Sequence, residues 1–274
     1  MSISAEGEAD EVGGIYDAMS DLVEIYHGNI HLGYWSGDDD ATPLAGALDR
    51  VTDLVANTLA LEHGQHLLDL GCGVGEPAIR IARRFGVRVT GITNSAWHVA
   101  ETTRRAAAAG VADLVTARHA DAGALPFPDA AFDAVLALDS LPNAVDKGRW
   151  LREVARVLRP GGRFAVTAYP ARTALTPEDR EVLATHAIFD PPTAAELCDL
   201  VARAGLVVER RWDWGDRAVR TYDEVAALFR AGDPALADTY GAERVRAFEH
   251  GLAPVFEVCR AKLGYLVVAG HAPG

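Results

Sequence analysis

The stretch His66–Pro77, reading H-L-L-D-L-G-C-G-V-G-E-P, restricts the fold of this chain more than any other. A short apolar run (Leu67, Leu68, Leu70) carries Asp69 near its end and then breaks into glycines at 71, 73 and 75. Ile79, Arg80, Ile81, Arg83 and Arg84 follow at helical spacing, so the unit is a strand, a tight glycine turn and a helix. In such a unit a ligand sits over the carboxyl end of the strand, where glycines let backbone N–H groups approach closely. The chain is built to hold a small molecule there.

The same alternation continues on both sides. Strand patterns cover 66–70, 87–92, 114–119, 132–138 and 163–169, and helical patterns cover 77–85, 96–109 and 146–158. Arg159-Pro160-Gly161-Gly162 stops the last of these helices and opens the fifth strand. Beyond it, 176–187 and 193–204 read as helices, each opening on a threonine near acidic residues. Residues 206–212 and 265–270 read as two further strands, with helices over 221–230 and 242–263 between them. Ahead of the glycine turn, 44–61 is helical, with Thr42 before Pro43 as its cap. The expectation is an α/β fold, a Rossmann-like, seven-stranded, mostly parallel sheet with helices on both faces. Residues 1–14 read as a loose acidic lead and 15–274 as one domain. Within it, 15–61 supplies a helical lid, 62–170 the ligand-binding core, and 171–274 a substrate-side insert and the last strands.

Composition excludes several partners. A net charge of −13 opposes nucleic-acid binding, which needs a basic face. No apolar run approaches the ~20 residues that cross a bilayer, and the acidic start (Met1–Asp10) lacks the apolar centre of a signal peptide, so a cytoplasmic protein is expected. Cys72, Cys198 and Cys259 lie far apart, which disfavours both a metal site and a disulfide. The expected partner is a small molecule, and the chain is expected to be a monomer or homodimer.

The glycine turn also selects among ligands. A dinucleotide fingerprint needs G-x-G-x-x-G and an acid about 20 residues later. Here Glu76 stands where a glycine would fall, and Thr93-Asn94 end the second strand. A lysine is missing after the turn, so a nucleotide P-loop fails as well.

Asp69-Leu-Gly-Cys-Gly-Val-Gly75 resembles the first motif of class I S-adenosylmethionine-dependent methyltransferases, and two later stretches agree in order and spacing: 119–127 (H-A-D-A-G-A-L-P-F), and 132–135 followed by 151–162. His31-Leu-Gly-Tyr-Trp35 is similar to the start of small-molecule methyltransferases from natural-product pathways, such as the rebeccamycin sugar O-methyltransferase type. The resemblance implies S-adenosylmethionine as cofactor. It places Asp69, Gly71 and Gly73 at the amino-acid end, and Thr93, Asn94 and His98 at the ribose. Asp121 and Ala122 fall at the adenine edge, with Leu138 and Asp139 beside the methionine moiety. Tyr16 and Tyr34 belong to a lid over the cofactor.

Methyl transfer is an in-line displacement that needs alignment and exclusion of water, and an alcohol acceptor must also lose a proton. The sugar O-methyltransferases this chain resembles carry a histidine pair after the fourth strand and an aspartate at the end of the fifth. Here Pro142-Asn143 and Thr167-Ala168-Tyr169 occupy those places. Three explanations stand: a base from elsewhere (His31, His186 or Tyr169), an acceptor such as a phenol that needs no strong base, or a cofactor-bound cyclase or scaffold that no longer transfers methyl. The main expectation is methyl transfer to a specialised metabolite, with oxygen the favoured acceptor atom and Asn143 orienting it. Asp190-Pro191-Pro192-Thr193 resembles a base-methylation signature, but it follows the wrong strand and lacks the aromatic residue, so it is expected to be a turn.

Overall fold

The apolar run at 67–70 forms β1 (His66–Leu70), and the sheet grows from it in both directions. The computed structural model describes residues 26–230 and 241–274, together with Val23 and Asp238. The expected lead at 1–14 and Tyr16 lie outside the described residues.

α1 (Leu44–Thr58) precedes β1, and α2 (Glu76–Phe85) follows it. Then come β2 (Arg88–Thr93), α3 (Ala96–Ala108), β3 (Val115–His119), β4 (Phe132–Ala137), a 3-10 turn (Leu141–Asn143), α4 (Lys147–Val157) and β5 (Leu158–Ala168). The remaining elements are α5 (Pro177–Ala184), α6 (Ala194–Arg203), β6 (Val207–Asp213), the short α7 (Gly215–Ala218), α8 (Arg220–Arg230), α9 (Ala242–Lys262) and β7 (Leu266–His271). The strands lie in the order β3-β2-β1-β4-β5-β7-β6. Six run in the same direction, and β7 alone among them enters antiparallel, between β5 and β6. The chain leaves β1 toward β2 and β3 and returns to its other side at β4, so the strand order reverses between β1 and β4. A crevice opens at such a reversal, at the carboxyl ends of the strands.

Two cores sandwich the sheet, because successive strand residues point to opposite faces. Leu67, Val89, Ala134 and Leu136 pack with Val51 and Val55 of α1 and Ala78 and Ala82 of α2. Leu68, Leu70, Val135 and Phe164 pack with Leu151 and Val154 of α4 and Leu197 and Val201 of α6. Each fully buried side chain of this size contributes about 1.5–3 kcal/mol.

The expected threonine caps at α5 and α6 are both capping boxes, Thr176 with Asp179 and Thr193 with Glu196. Two local readings change. Thr42 does not cap α1: Pro43 holds the cap position, and the Thr42 hydroxyl donates to Asp40 Oδ1 at 2.6 Å, a nearer acceptor. Arg159–Gly162 does not precede β5 but lies within it. Leu158 already pairs with Phe132, and the register then jumps to Ala134 against Arg163, so the glycines form a bulge. Among the described residues no helix is long and apolar enough to cross a membrane.

Candidate functional site

The crevice between β1 and β4 holds a cavity built from four segments. Its floor is the glycine turn. Gly71 has φ +73°, and a Cβ added there would lie 2.4 Å from Ser140 Cβ, so the turn and the end of β4 approach to a distance only glycine permits. Ser140 Oγ also donates to the Leu70 carbonyl, which fastens the two strand ends together. Gly75, at φ +85°, is equally restricted by Thr102 of α3, 2.5 Å from its added Cβ.

Asp69 lies directly beneath this floor, 2% exposed. Its Oδ2 is buried and finds no hydrogen-bond partner among the described residues. Burial raises its carboxyl to about pH 7. A carboxyl held dry with one oxygen unpartnered gains its charge most readily when a cation arrives above it.

The second wall comes from the end of β2. Thr93, Asn94 and His98 line the cavity, ordered by the Ser95 cap of α3: His98 N–H donates to Ser95 Oγ at 3.0 Å, and Thr93 Oγ1 meets His98 Nδ1 at 3.2 Å. The third wall is the turn after β3, Ala120–Gly123. Asp121 Oδ1 accepts the Gly123 N–H at 2.7 Å, while Arg149 of α4 reaches over to donate from Nε to the Gly123 carbonyl at 2.7 Å and lies 3.4 Å from Asp121 Oδ2. Arg149 thus clasps the turn expected to read adenine. Because the pair is about one-third exposed, its net worth is about 1 kcal/mol. Arg149→Met is therefore expected to weaken cofactor binding about fivefold in a calorimetric titration; unchanged affinity would mean that the clasp does not order the turn.

The fourth wall follows β4: Leu138, Asp139, Ser140, Asn143 to Asp146 and Trp150, with Ile30 reaching in from the N-terminal segment. Asp139 is buried with φ +56°, a left-handed conformation that aspartate tolerates better than most residues. Its carboxylate accepts hydrogen bonds from Leu32 N–H at 3.0 Å, from Tyr169 O–H at 2.7 Å and from the Thr167 hydroxyl.

The cavity therefore brings together Gly71, Gly73, Thr93, Asn94, His98, Asp121, Ala122, Leu138, Asp139 and Asn143. Five expected residues do not line it: Asp69, sealed at 2% exposure, and four that lie elsewhere. His31 is buried, with Nδ1 2.9 Å from the Leu32 carbonyl and Nε2 3.1 Å from Thr52 Oγ1. A carbonyl only accepts, so Nδ1 carries the proton and the Nε2 lone pair takes the Thr52 hydroxyl. Burial also pushes this imidazole below the ordinary histidine range. Tyr169 is behind the wall: burial, foremost, and the neighbouring Asp139 hold its phenol protonated well above the usual range. His186 stands beyond α5, its Nδ1 against Thr185 Oγ1 at 2.9 Å. Tyr34 packs edge-on against Trp214, with centroids 5.3 Å apart. Its ring belongs to this aromatic packing and does not line the cavity.

Several lining residues lie beyond the motif reading, notably Ile30, Ser140, Arg149 and Trp150. The alternation that put Leu151 and Val154 on the core face of α4 also set Arg149 off that face, which was the one available signal.

S-adenosylmethionine fits these residues. Asp69 offers an unpartnered carboxylate for an ammonium group, and the lining acids Asp121, Asp139 and Asp146 outnumber Arg149, which suits a cationic sulfonium. Among the described residues no cluster of three or more histidine, cysteine or acidic side chains is placed to hold a metal ion.

Comparison with known proteins agrees. A methyltransferase-domain family model matches residues 68–166. The 27-O-demethylrifamycin SV methyltransferase of Amycolatopsis mediterranei is 49% identical over a region spanning 57% of each chain. The O-methyltransferase resE of Aspergillus sclerotiorum is 36% identical over 82% of this chain and 87% of its own. Among solved structures, the [4+2]-cyclase SpnF superposes with a TM-score of 0.84 at 32% identity, covering 99% of this chain and 98% of that one. With the resE match over most of both chains, the chain is a member of the S-adenosylmethionine-dependent methyltransferase family.

Proposed function

We propose that the protein is a cytoplasmic O-methyltransferase acting on a hydroxyl of a small specialised metabolite, one acidic enough, as a phenol or enol is, to need no strong protein base. The observation that carries this reading is the fate of the expected bases. Of His31, Tyr169 and His186, none lines the cavity; the His31 lone pair is engaged by Thr52, and the Tyr169 proton is held on the phenol.

When bound, the cofactor supplies an electrophilic methyl group on sulfur, which an acceptor oxygen takes in one in-line displacement. The chain's own residues then have three tasks. Asp69 and the glycine turn fix the amino-acid end. Arg149 and Asp121 hold the adenine turn, and the buried Leu138 and Ala144 exclude water from the acceptor side. Asn143, at the end of the 3-10 turn, supplies an amide that orients the acceptor without removing its proton. The relatives' names support oxygen as acceptor atom.

The test is transfer of a labelled methyl group from S-adenosylmethionine to phenolic and enolic acceptors in a metabolite extract, read by mass. Labelled methyl ethers are expected, and Asn143→Ala should lower their formation about tenfold with cofactor affinity changed less than twofold. Unchanged turnover would remove Asn143 from the acceptor site. A second reading has its own support: SpnF shares the whole chain at 32% identity, and a cofactor-bound cyclase needs no base for methyl transfer. Cofactor binding without any labelled product would favour it.

A further inference from the structure

Lys147 is a lysine in an unfavourable place. It opens α4, where the positive end of the helix dipole disfavours a cation, and it is 7% exposed. Burial lowers its amine to about 8 even though Asp146 and Asp190 pull the other way. An apolar residue of similar length would suit the position better on grounds of stability alone.

Its ammonium joins two segments that are distant in sequence. Nζ donates to the Ala144 carbonyl at 2.8 Å and to the Phe189 carbonyl at 2.5 Å. Phe189 is held from its other side as well, its N–H donating to the Pro142 carbonyl at 3.0 Å. The turn around 187–190 is therefore bound at both backbone groups of one residue to the segment that carries Asn143, Ala144 and Val145 into the cavity.

That turn is strained. Ala187 (φ 55°) and Asp190 (φ 38°) both occupy the left-handed region without being glycine. Such conformations persist only where the surroundings over-determine them. The groove on the far side of the same wall is lined by Val145, Asp146, Lys147, Asp190 and Pro191, so the wall has space on both sides and needs a fastening. Among the described residues, the Phe189–Pro142 bond and the two Lys147 bonds fasten it.

We infer that Lys147 is a positioning residue: by clamping the strained 187–190 turn onto residues 142–144, it sets the acceptor-side wall of the cavity. This rests on the reading of that wall as the acceptor side.

The experiment compares the full-length protein with Lys147→Met, which keeps the aliphatic stem and removes the donors. Amide hydrogen exchange, S-adenosylmethionine titration and labelled methyl transfer to the phenolic extract are measured on both. Exchange is expected to rise at least tenfold in 141–146 and 186–191 together, with cofactor affinity within twofold and transfer reduced at least tenfold. Unchanged exchange in either segment would overturn the inference. So would a rise spread over the whole sheet, which marks a residue of general stability. If Lys147→Met does not fold, Lys147→Gln, with one amide for two carbonyls, carries the same expectation at smaller amplitude. Should the wild-type protein transfer no label, the acceptor reading fails, while the paired exchange response still decides whether the clamp exists.

Discussion

Asp69→Asn is expected to weaken S-adenosylmethionine binding about 100-fold at pH 8, within the ~2–5 kcal/mol lost when one partner of a buried charge pair is removed. The substitution conserves shape, so the loss reports charge. Asp69 Oδ2 is buried without a partner under the glycine turn, and burial raises its carboxyl to about 7. An ammonium group bound above it favours the ionised form and pulls that value down. Cofactor binding is therefore coupled to loss of a proton, and affinity should rise with pH toward about 7, by up to tenfold per unit. At pH 6 roughly nine-tenths of the cofactor-free protein carries this proton, so binding should release about one. At pH 8 it should release about a tenth. Calorimetric titration in buffers of different ionisation enthalpy reads this number directly. The same raised value makes the cofactor-free protein less stable as pH rises from about 4 to 7, because the folded state retains a proton that the unfolded chain has released. Asp69→Asn should bind weakly and show neither dependence. Equal proton release in the variant would assign the proton to another group.

The contrast between Asp69 and the acceptor side shows what the amino-acid sequence encodes locally. β1 spans His66–Leu70 as read, because an apolar run ended by glycines has one local solution. The gathering of Gly71, Gly73 and the turn at 120–123 around one cavity is legible because it is largely backbone, set by chain conformation that short motifs specify. The acceptor side is assembled from contacts between segments far apart in the chain. Residues 29–43 have no periodicity, so their order alone did not say that Ile30 would face the cavity while His31 turned to Thr52. Tyr169 was read as a base from its place at the end of a strand. Its partner, Asp139, lies 30 residues away and takes its proton in a hydrogen bond instead. The Pro160-Gly161-Gly162 bulge was hidden for the same reason, because a bulge is defined by the partner strand.

Asp139→Ala should produce the largest loss of order around the site. The Asp139 carboxylate is the meeting point of three elements: the end of β4, the end of β5 through Thr167 and Tyr169, and the N-terminal segment through Leu32 N–H. That segment is also held by Gly33 N–H on Thr221 Oγ1 at 2.8 Å, by His31 on Thr52, and by the Tyr34 and Trp35 N–H groups on the Ala47 and Arg217 carbonyls. Removing the carboxylate strands three buried donors, at ~1–3 kcal/mol each where water does not reach them. Partial relaxation brings the expected cost to about 4 kcal/mol, or a fall in Tm of about 10 °C. Asparagine tolerates the left-handed φ and keeps one acceptor oxygen, so Asp139→Asn should lose about half as much. The functional consequence follows from Ile30, two residues before Leu32 on the cavity wall. Releasing Leu32 frees Ile30, so transfer should fall further than the affinity for cofactor, whose other contacts on the glycine turn and α3 remain. Thermal unfolding with amide exchange at Leu32 tests this. A protected Leu32 amide in Asp139→Ala would show that the segment's other hydrogen bonds hold it, leaving Asp139 without a latching role.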